Sequence, residues 1–284
     1  MEIQLAAQRI FVLEDRLSFE EIRQRAMDRR TGAFASGLSS LLQRPKADDI
    51  ELIDSQRRVE PFWHVACRAH YVYDRARDYS VPVSGPEVRE ISIGDLSLPV
   101  GTPGGKTGRT FTVSTVEHCR EEIQDERFVD GLTAAPVADA AGLINGSKQE
   151  VADPAALAAD ETIVMPPEHR ASYVIRQLLS DMLKPVQADT VSEESLTLEK
   201  TDLYYRPLWA FEFHWKTKDK RGIVELDAVT GQMRQGERLA PKLTRMVSRD
   251  ALFDIGADTV GLLVPGGSIA VKVARIALEQ NKGN

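Results

Sequence analysis

Two stretches of this chain share one grammar 146 positions apart, and that recurrence constrains its architecture more than any other feature. The first reads Glu60-Pro61-Phe62-Trp63-His64-Val65, and the second reads Arg206-Pro207-Leu208-Trp209-Ala210-Phe211. Upstream of each, an apolar helical run stops at a basic residue plus proline, Arg44-Pro45 and Lys184-Pro185, and then at Ala47-Asp48 and Ala188-Asp189. Downstream of each comes Asp-x-Leu/Val-Thr, as Asp130-Gly131-Leu132-Thr133 and Asp227-Ala228-Val229-Thr230. The expected fold class is therefore α+β: two repeated helix-plus-antiparallel-sheet units, followed by a C-terminal helical hairpin.

Local signals set the expected boundaries. Ser18 and Glu21 stand at capping-box spacing, so a helix starts at Ser18. It breaks near Thr31-Gly32, and a second helix carries Phe34, Leu38, Leu41 and Leu42 on one face before Pro45. A strand from about Ile50 to Tyr73 follows. In the second copy Pro166-Pro167 opens a helix whose apolar face is Ala171, Val174, Leu178 and Met182, which is helical spacing. The strand Leu196–Trp215, a polar turn over Lys218–Gly222 and the strand Ile223–Asp227 complete that copy.

The first copy takes 69 positions from Pro61 to Asp130, where the second takes 20 from Pro207 to Asp227. It thus carries a β-rich insertion at about 74–116, with strands at Val88–Ile93, Leu96–Val100 and Arg109–Val116. An insertion on a rigid scaffold is a natural place for specialised function. The expected organisation is a first repeat over 1–134, a linker over 135–165, a second repeat over 166–240 and a helical segment over 241–284.

Several functional classes are weakened. The net charge of −7 argues against nucleic acid, whose binding rests on Lys and Arg neutralising phosphates. Two cysteines do not make a disulfide framework. Met1–Leu5 lacks the basic and long apolar regions of a signal peptide, and no run approaches the roughly 20 apolar residues of a spanning helix. The expectation is a cytoplasmic protein. The loop Gly101-Thr102-Pro103-Gly104-Gly105-Lys106-Thr107 imitates a phosphate loop, but Val100 stands where its first glycine belongs. The alternating Thr110-Phe111-Thr112-Val113 that follows offers no helix N-terminus to a phosphate.

His64, Cys67, His70, His118 and Cys119 are the candidate metal ligands, since zinc favours such N and S donors. On a strand, however, His64 and His70 share one face and Cys67 takes the other. No catalytic set and no cofactor signature occurs elsewhere, so no cofactor is expected. The tryptophans Trp63, Trp209 and Trp215 read as core.

The second copy, Trp209-Ala210-Phe211-Glu212-Phe213 through Gly222–Asp227 to Ala228-Val229-Thr230-Gly231-Gln232-Met233, resembles the closing part of PepSY-type domains. In those, a helix packs on a small antiparallel sheet whose strand ends in an Asp-Ala-x-Thr-Gly turn. The resemblance covers about 168–235, with a fainter echo at Asp130–Thr133, where Ala134 replaces the glycine. It implies a small non-catalytic binding unit.

The tail alternates apolar runs around Pro265-Gly266-Gly267, with Ser268 as N-cap of a second helical arm. Ile269, Val273, Ile276 and Leu278 are the expected partner-binding residues on that arm. So apolar a segment must bury its surface against the body, against a protein partner or second copy, or against a membrane interface. The function these readings favour is a non-enzymatic scaffold or adaptor that binds or assembles through this segment. The rival is a metal- or cysteine-dependent enzyme on the insertion face of the first repeat.

Overall fold

A computed structural model describes residues 2–34, 45–101, 108–158, 161–234, 249–253 and 272–275, the last four as backbone alone. In chain order the strands are β1 Glu2–Leu5, β2 Gln8–Leu13, β3 Ile50–Pro82, β4 Glu90–Ile93, β5 Leu96–Pro99, β6 Thr110–Asp130, β7 Lys148–Val151 and β8 Ile163–Val164. They continue with β9 Thr190–Trp215, β10 Lys220–Asp227, β11 Met233–Arg234 and β12 Lys272–Arg275. The helices are α1 Phe19–Asp28, α2 Ala140–Ile144, α3 Ala171–Met182 and α4 Arg249–Leu252.

Two unusually long antiparallel strands, β3 and β9, lie side by side from Ile50 opposite Trp215 to Asp74 opposite Thr190. On its outer edge β9 carries β10 along 208–215, β2 in parallel along 201–205 and β1 in parallel along 195–198. On its outer edge β3 carries β6 along 62–82 and β8 in parallel at Arg58 and Val59. Among the described residues this makes a ten-stranded mixed sheet, with β4 and β5 a separate hairpin.

This single sheet corrects the expected fold class. The chain is not two helix-plus-sheet units followed by a helical hairpin, because β3 and β9 bond directly to each other. The recurrence is expressed at strand level instead. Pro61 opposes Tyr205 and Val59 opposes Pro207, which is the same pair read from the other strand. A local two-fold axis therefore passes at the Glu60–Arg206 pair. Ile53 is the extra residue of a bulge in β3, and Glu199, 146 positions on, is the extra residue of a bulge in β9. Phe11 precedes the first residue of α1 by eight positions and lies opposite Tyr204; Ile163 precedes the first residue of α3 by eight and lies opposite Arg58.

Both long helices cover one face of the sheet. Ser18 caps α1, accepting from Glu21 N at 3.3 Å, while Ser18 N donates to the Glu21 carboxylate at 2.8 Å, as the spacing predicts. Ile22 and Ala26 of α1 pack on Phe211, Phe213, Val224 and Leu226. The α3 face Ala171, Val174, Ile175, Leu178, Leu179 and Met182 packs on the main core beside Trp63, Val65 and Leu203. Full burial of such side chains contributes about 1.5–3 kcal/mol each, so this face holds the helix in place. Trp63 is fully buried and its indole donates to His169 O at 2.7 Å, whereas Trp209 is half-buried against Phe19.

The expected strand ending at Tyr73 runs on to Pro82, and Arg109–Val116 is the start of a strand reaching Asp130. The insertion is thus a continuation of two sheet strands, capped by the β4–β5 hairpin, which falls where strands were expected. The helical arm expected after Ser268 is overturned at its one described stretch. Lys272–Arg275 is a strand paired in parallel with β1, Val273 opposite Ile3. The β-branched run around Val271 and Val273 suits a strand better than a helix. The helix expected between Phe34 and Pro45, and most of the Gly101–Thr107 loop, lie outside the described residues.

Candidate functional site

Beyond the Asp74–Thr190 pair β9 stops, and β3 and β6 continue as a two-stranded arm, residues 75–82 against 110–117. A two-stranded ribbon alone is marginal in water. This one is braced by the Arg75 guanidinium and the Tyr79 hydroxyl, both donating to the Glu117 carboxylate. These bonds hold the Glu117 carboxyl below the usual carboxylate range and push the Tyr79 phenol up. At the tip the Arg109 guanidinium donates to the carbonyls of Gly85, Pro86 and Val88, fixing the turn into β4.

The arm is two-sided. One face continues the helix side of the sheet, from Tyr73 and Ile123 at the root to Tyr79, Val81, Phe111 and Val113; the other runs from His118 and Glu122 at the root to Ser80, Asp78, Thr112 and Ser114. Where α3 ends, at the root of the arm, a groove of about 520 Å³ opens between β3–β6 and the 181–187 segment. Its walls are Tyr73, Arg75, Ile123, Met182, Lys184 and Val186.

The structure scatters the candidate ligands. His64 lies buried on the sheet face away from α3, its Nε2 2.5 Å from Glu126 Oε1 and its ring stacked on Phe128. Cys67 points to the opposite face, inside the main core, where burial pushes its thiol up to about 12. Six strand residues, roughly 20 Å, separate His64 from His70, which lies between Glu122 and Glu193 at 3.6 Å each. His118 bonds to Asp74 at 2.7 Å on the exposed side, and Cys119 packs on the core side beside Tyr73. Among the described residues no three His, Cys, Asp or Glu side chains could share a metal ion. The expected partner residues Ile269, Ile276 and Leu278 lie outside the described residues, and Val273 is described only as backbone in β12.

Sequence reasoning missed a buried ionic belt on the local two-fold axis. Arg58 reaches Glu60 at 2.8 Å and Glu225 at 2.7 Å, and Arg206 meets Asp227. Glu60 stands where the other strand has Arg206, so it cannot hold Asp130 as Arg206 holds Asp227. Arg234 fills that role, reaching Glu60 at 2.6 Å and Asp130 at 3.8 Å. Burial pushes the Glu225 carboxyl up, partly offset by Arg58. The belt thus joins β3 to β10 through Arg58 and β9 to β10 through Arg206. The sequence signal was present in the Glu60/Arg206 contrast between the two copies.

No helix among the described residues is long and apolar enough to cross a membrane. Comparison with protein-family models, with curated proteins and with solved structures finds no match to this chain.

Proposed function

We propose that this chain is a non-enzymatic binding or assembly protein that presents the β3–β6 arm to a protein partner. The carrying observation is the arm itself, a braced ribbon extending past the last β9 contact with a groove at its root. Attachment through 269–278 was expected on the premise of a helix. Here the arm takes that role, since the described part of that segment is a strand bonded to the chain's own β1. A cytoplasmic setting belongs to the same proposal, supported by two cysteines that are both free thiols. So does a PepSY-like origin for 168–235, supported by the Asp227–Gly231 turn.

Size-exclusion chromatography with light scattering tests the reading on the full chain and on a form with residues 78–114 replaced by Asn-Gly. A stoichiometric co-purifying chain or self-association, lost on trimming, supports it. Partner-free monomers in both forms reject it. An equivalent of zinc, iron or manganese in chelator-free protein would turn the choice toward the enzyme.

A further inference from the structure

Among the described residues the outer edge of β6 is open, since this strand pairs with β3 alone, apart from an isolated bridge between Val129 and Pro136. Gly101 N donates to Thr110 O at 2.8 Å, and Val137 N donates to Phe128 O at 3.0 Å. Even-numbered residues therefore turn their backbone outward, because the β3–β6 register is unbroken between these two points. Glu126 N is taken by Asp125 Oδ1 at 2.9 Å. From Thr112 to Gln124 every second residue offers an outward N–H and C=O, the template for strand addition.

The side chains flanking this edge specify what it accepts. On the groove side the order is Glu117, Cys119, Glu121, Ile123, Asp125, a carboxylate alternating with an apolar group. The opposite side adds Glu122, 3.4 Å from Arg120, and Glu126, 3.7 Å from Lys200. Glu117 is held by Arg75 and Asp125 by Arg127, while Glu121 is exposed and makes no ion pair among the described residues. Like charges oppose a second copy in the registers centred between Cys119 and Gln124. Antiparallel self-pairing centred on 119, 121, 122, 123 or 124 sets carboxylate against carboxylate, and centring on Arg120 sets two guanidiniums together.

We propose that the β6 edge binds an extended polypeptide segment whose groove-side residues alternate Lys or Arg with an aliphatic residue, added as a further strand. The inference rests on the reading of the chain as a binding protein and names the partner's chemistry. The probe is the peptide Lys-Thr-Val-Thr-Lys-Thr-Val-Thr-Lys-Thr-Val, with a Glu-for-Lys control, followed by fluorescence anisotropy and residue-resolved amide exchange on the full chain.

The Lys peptide is expected to bind and to slow exchange of the outward amides between Thr112 and Gln124, and the Glu peptide to do neither. Val116→Pro removes one outward N–H, leaves the β3 side intact, and weakens binding about tenfold with little change in melting temperature. Glu121→Lys weakens the Lys peptide and admits the Glu peptide, which covers the case of a Val116→Pro chain that fails to fold. Absence of edge protection, or equal binding of both peptides, overturns the proposal. So does edge protection that grows with protein concentration alone, which would identify a second copy as the occupant. If the peptides fail while trimming the arm still abolishes association, the binding reading stands and only this partner chemistry falls.

Discussion

Ala134 and Gly231 occupy the same backbone position in matching turns, with φ of +59° and +70°. In one turn Asp130 Oδ1 accepts from Leu132 N and Thr133 N, both at 2.9 Å; in the other Asp227 Oδ1 accepts from Val229 N at 2.7 Å and Thr230 N at 2.8 Å. Ala134 N bonds to Asp130 O at 2.9 Å and Gly231 N to Asp227 O at 2.8 Å. Thr133 Oγ1 and Thr230 Oγ1 each accept at 3.3 Å from the residue two positions on.

Left-handed backbone costs a residue with a Cβ roughly 1–2 kcal/mol, which glycine avoids. Ala134→Gly should therefore stabilise the chain by about 0.5–1 kcal/mol, after the extra freedom glycine adds to the unfolded state. Gly231→Ala should destabilise it by more, since the new Cβ would also fall 2.8 Å from Leu17 Cδ1. Chemical denaturation of the two variants checks both signs.

Much of this was legible in the sequence. The aspartate turns, the cap at Ser18 and the apolar face of α3 are local, each set by residues within one or two turns of chain. The pairing of β3 with β9 was not legible. Pro61 and Pro207 mark equivalent points, but nothing near either residue says that their strands bond to each other rather than within separate units. The candidate ligands failed for a related reason. Face alternation already set Cys67 against His64 and His70, and the cross-strand partners Glu126, Glu122 and Asp74 that absorb the histidines are 44 to 62 positions away. The tail misled because an apolar run of Ile, Val and Ala suits a helix or a strand, and only the exposed edge of β1 decides between them.

The ionic belt sets a stability prediction. Arg58→Met leaves Glu60 and Glu225 buried without their shared cation, at a cost of about 3–5 kcal/mol. Glu225→Gln should cost far less, because burial already disfavours the charged carboxylate there. A carboxyl whose pKa is raised on folding loses stability as pH rises through its unfolded value. The Arg58→Met chain should therefore regain part of its loss near pH 5. Equal losses for the two variants at neutral pH would remove the assigned role of Arg58.

The two thiols should separate under a thiol reagent. Cys67 is 1 % exposed and burial holds its pKa near 12, so the nucleophilic thiolate is scarce at neutral pH. Cys119 is half-buried on β6 at the root of the arm. One thiol per native chain should react promptly with a disulfide reagent and two in denaturant, with Cys119→Ser abolishing the native signal.

His64 supplies a pH dependence whose sign follows from its surroundings. Burial lowers its pKa most strongly; the bond to Glu126 opposes that, Lys200 adds to it, and Asp202 opposes it. Among the described residues its Nδ1 is buried without a partner, so protonation there would bury an unsatisfied N–H. A histidine with a lowered folded pKa binds fewer protons folded than unfolded below about pH 6.5, so stability falls as pH drops through that range. The Glu126 carboxyl is lowered by the same bond, and its contribution is lost only at lower pH, below the ordinary carboxylate value. Denaturation midpoints at pH 7.5 and 5.5 should differ in the parent chain, and His64→Gln should shrink that difference. An unchanged difference would mean that another group carries the neutral-range dependence.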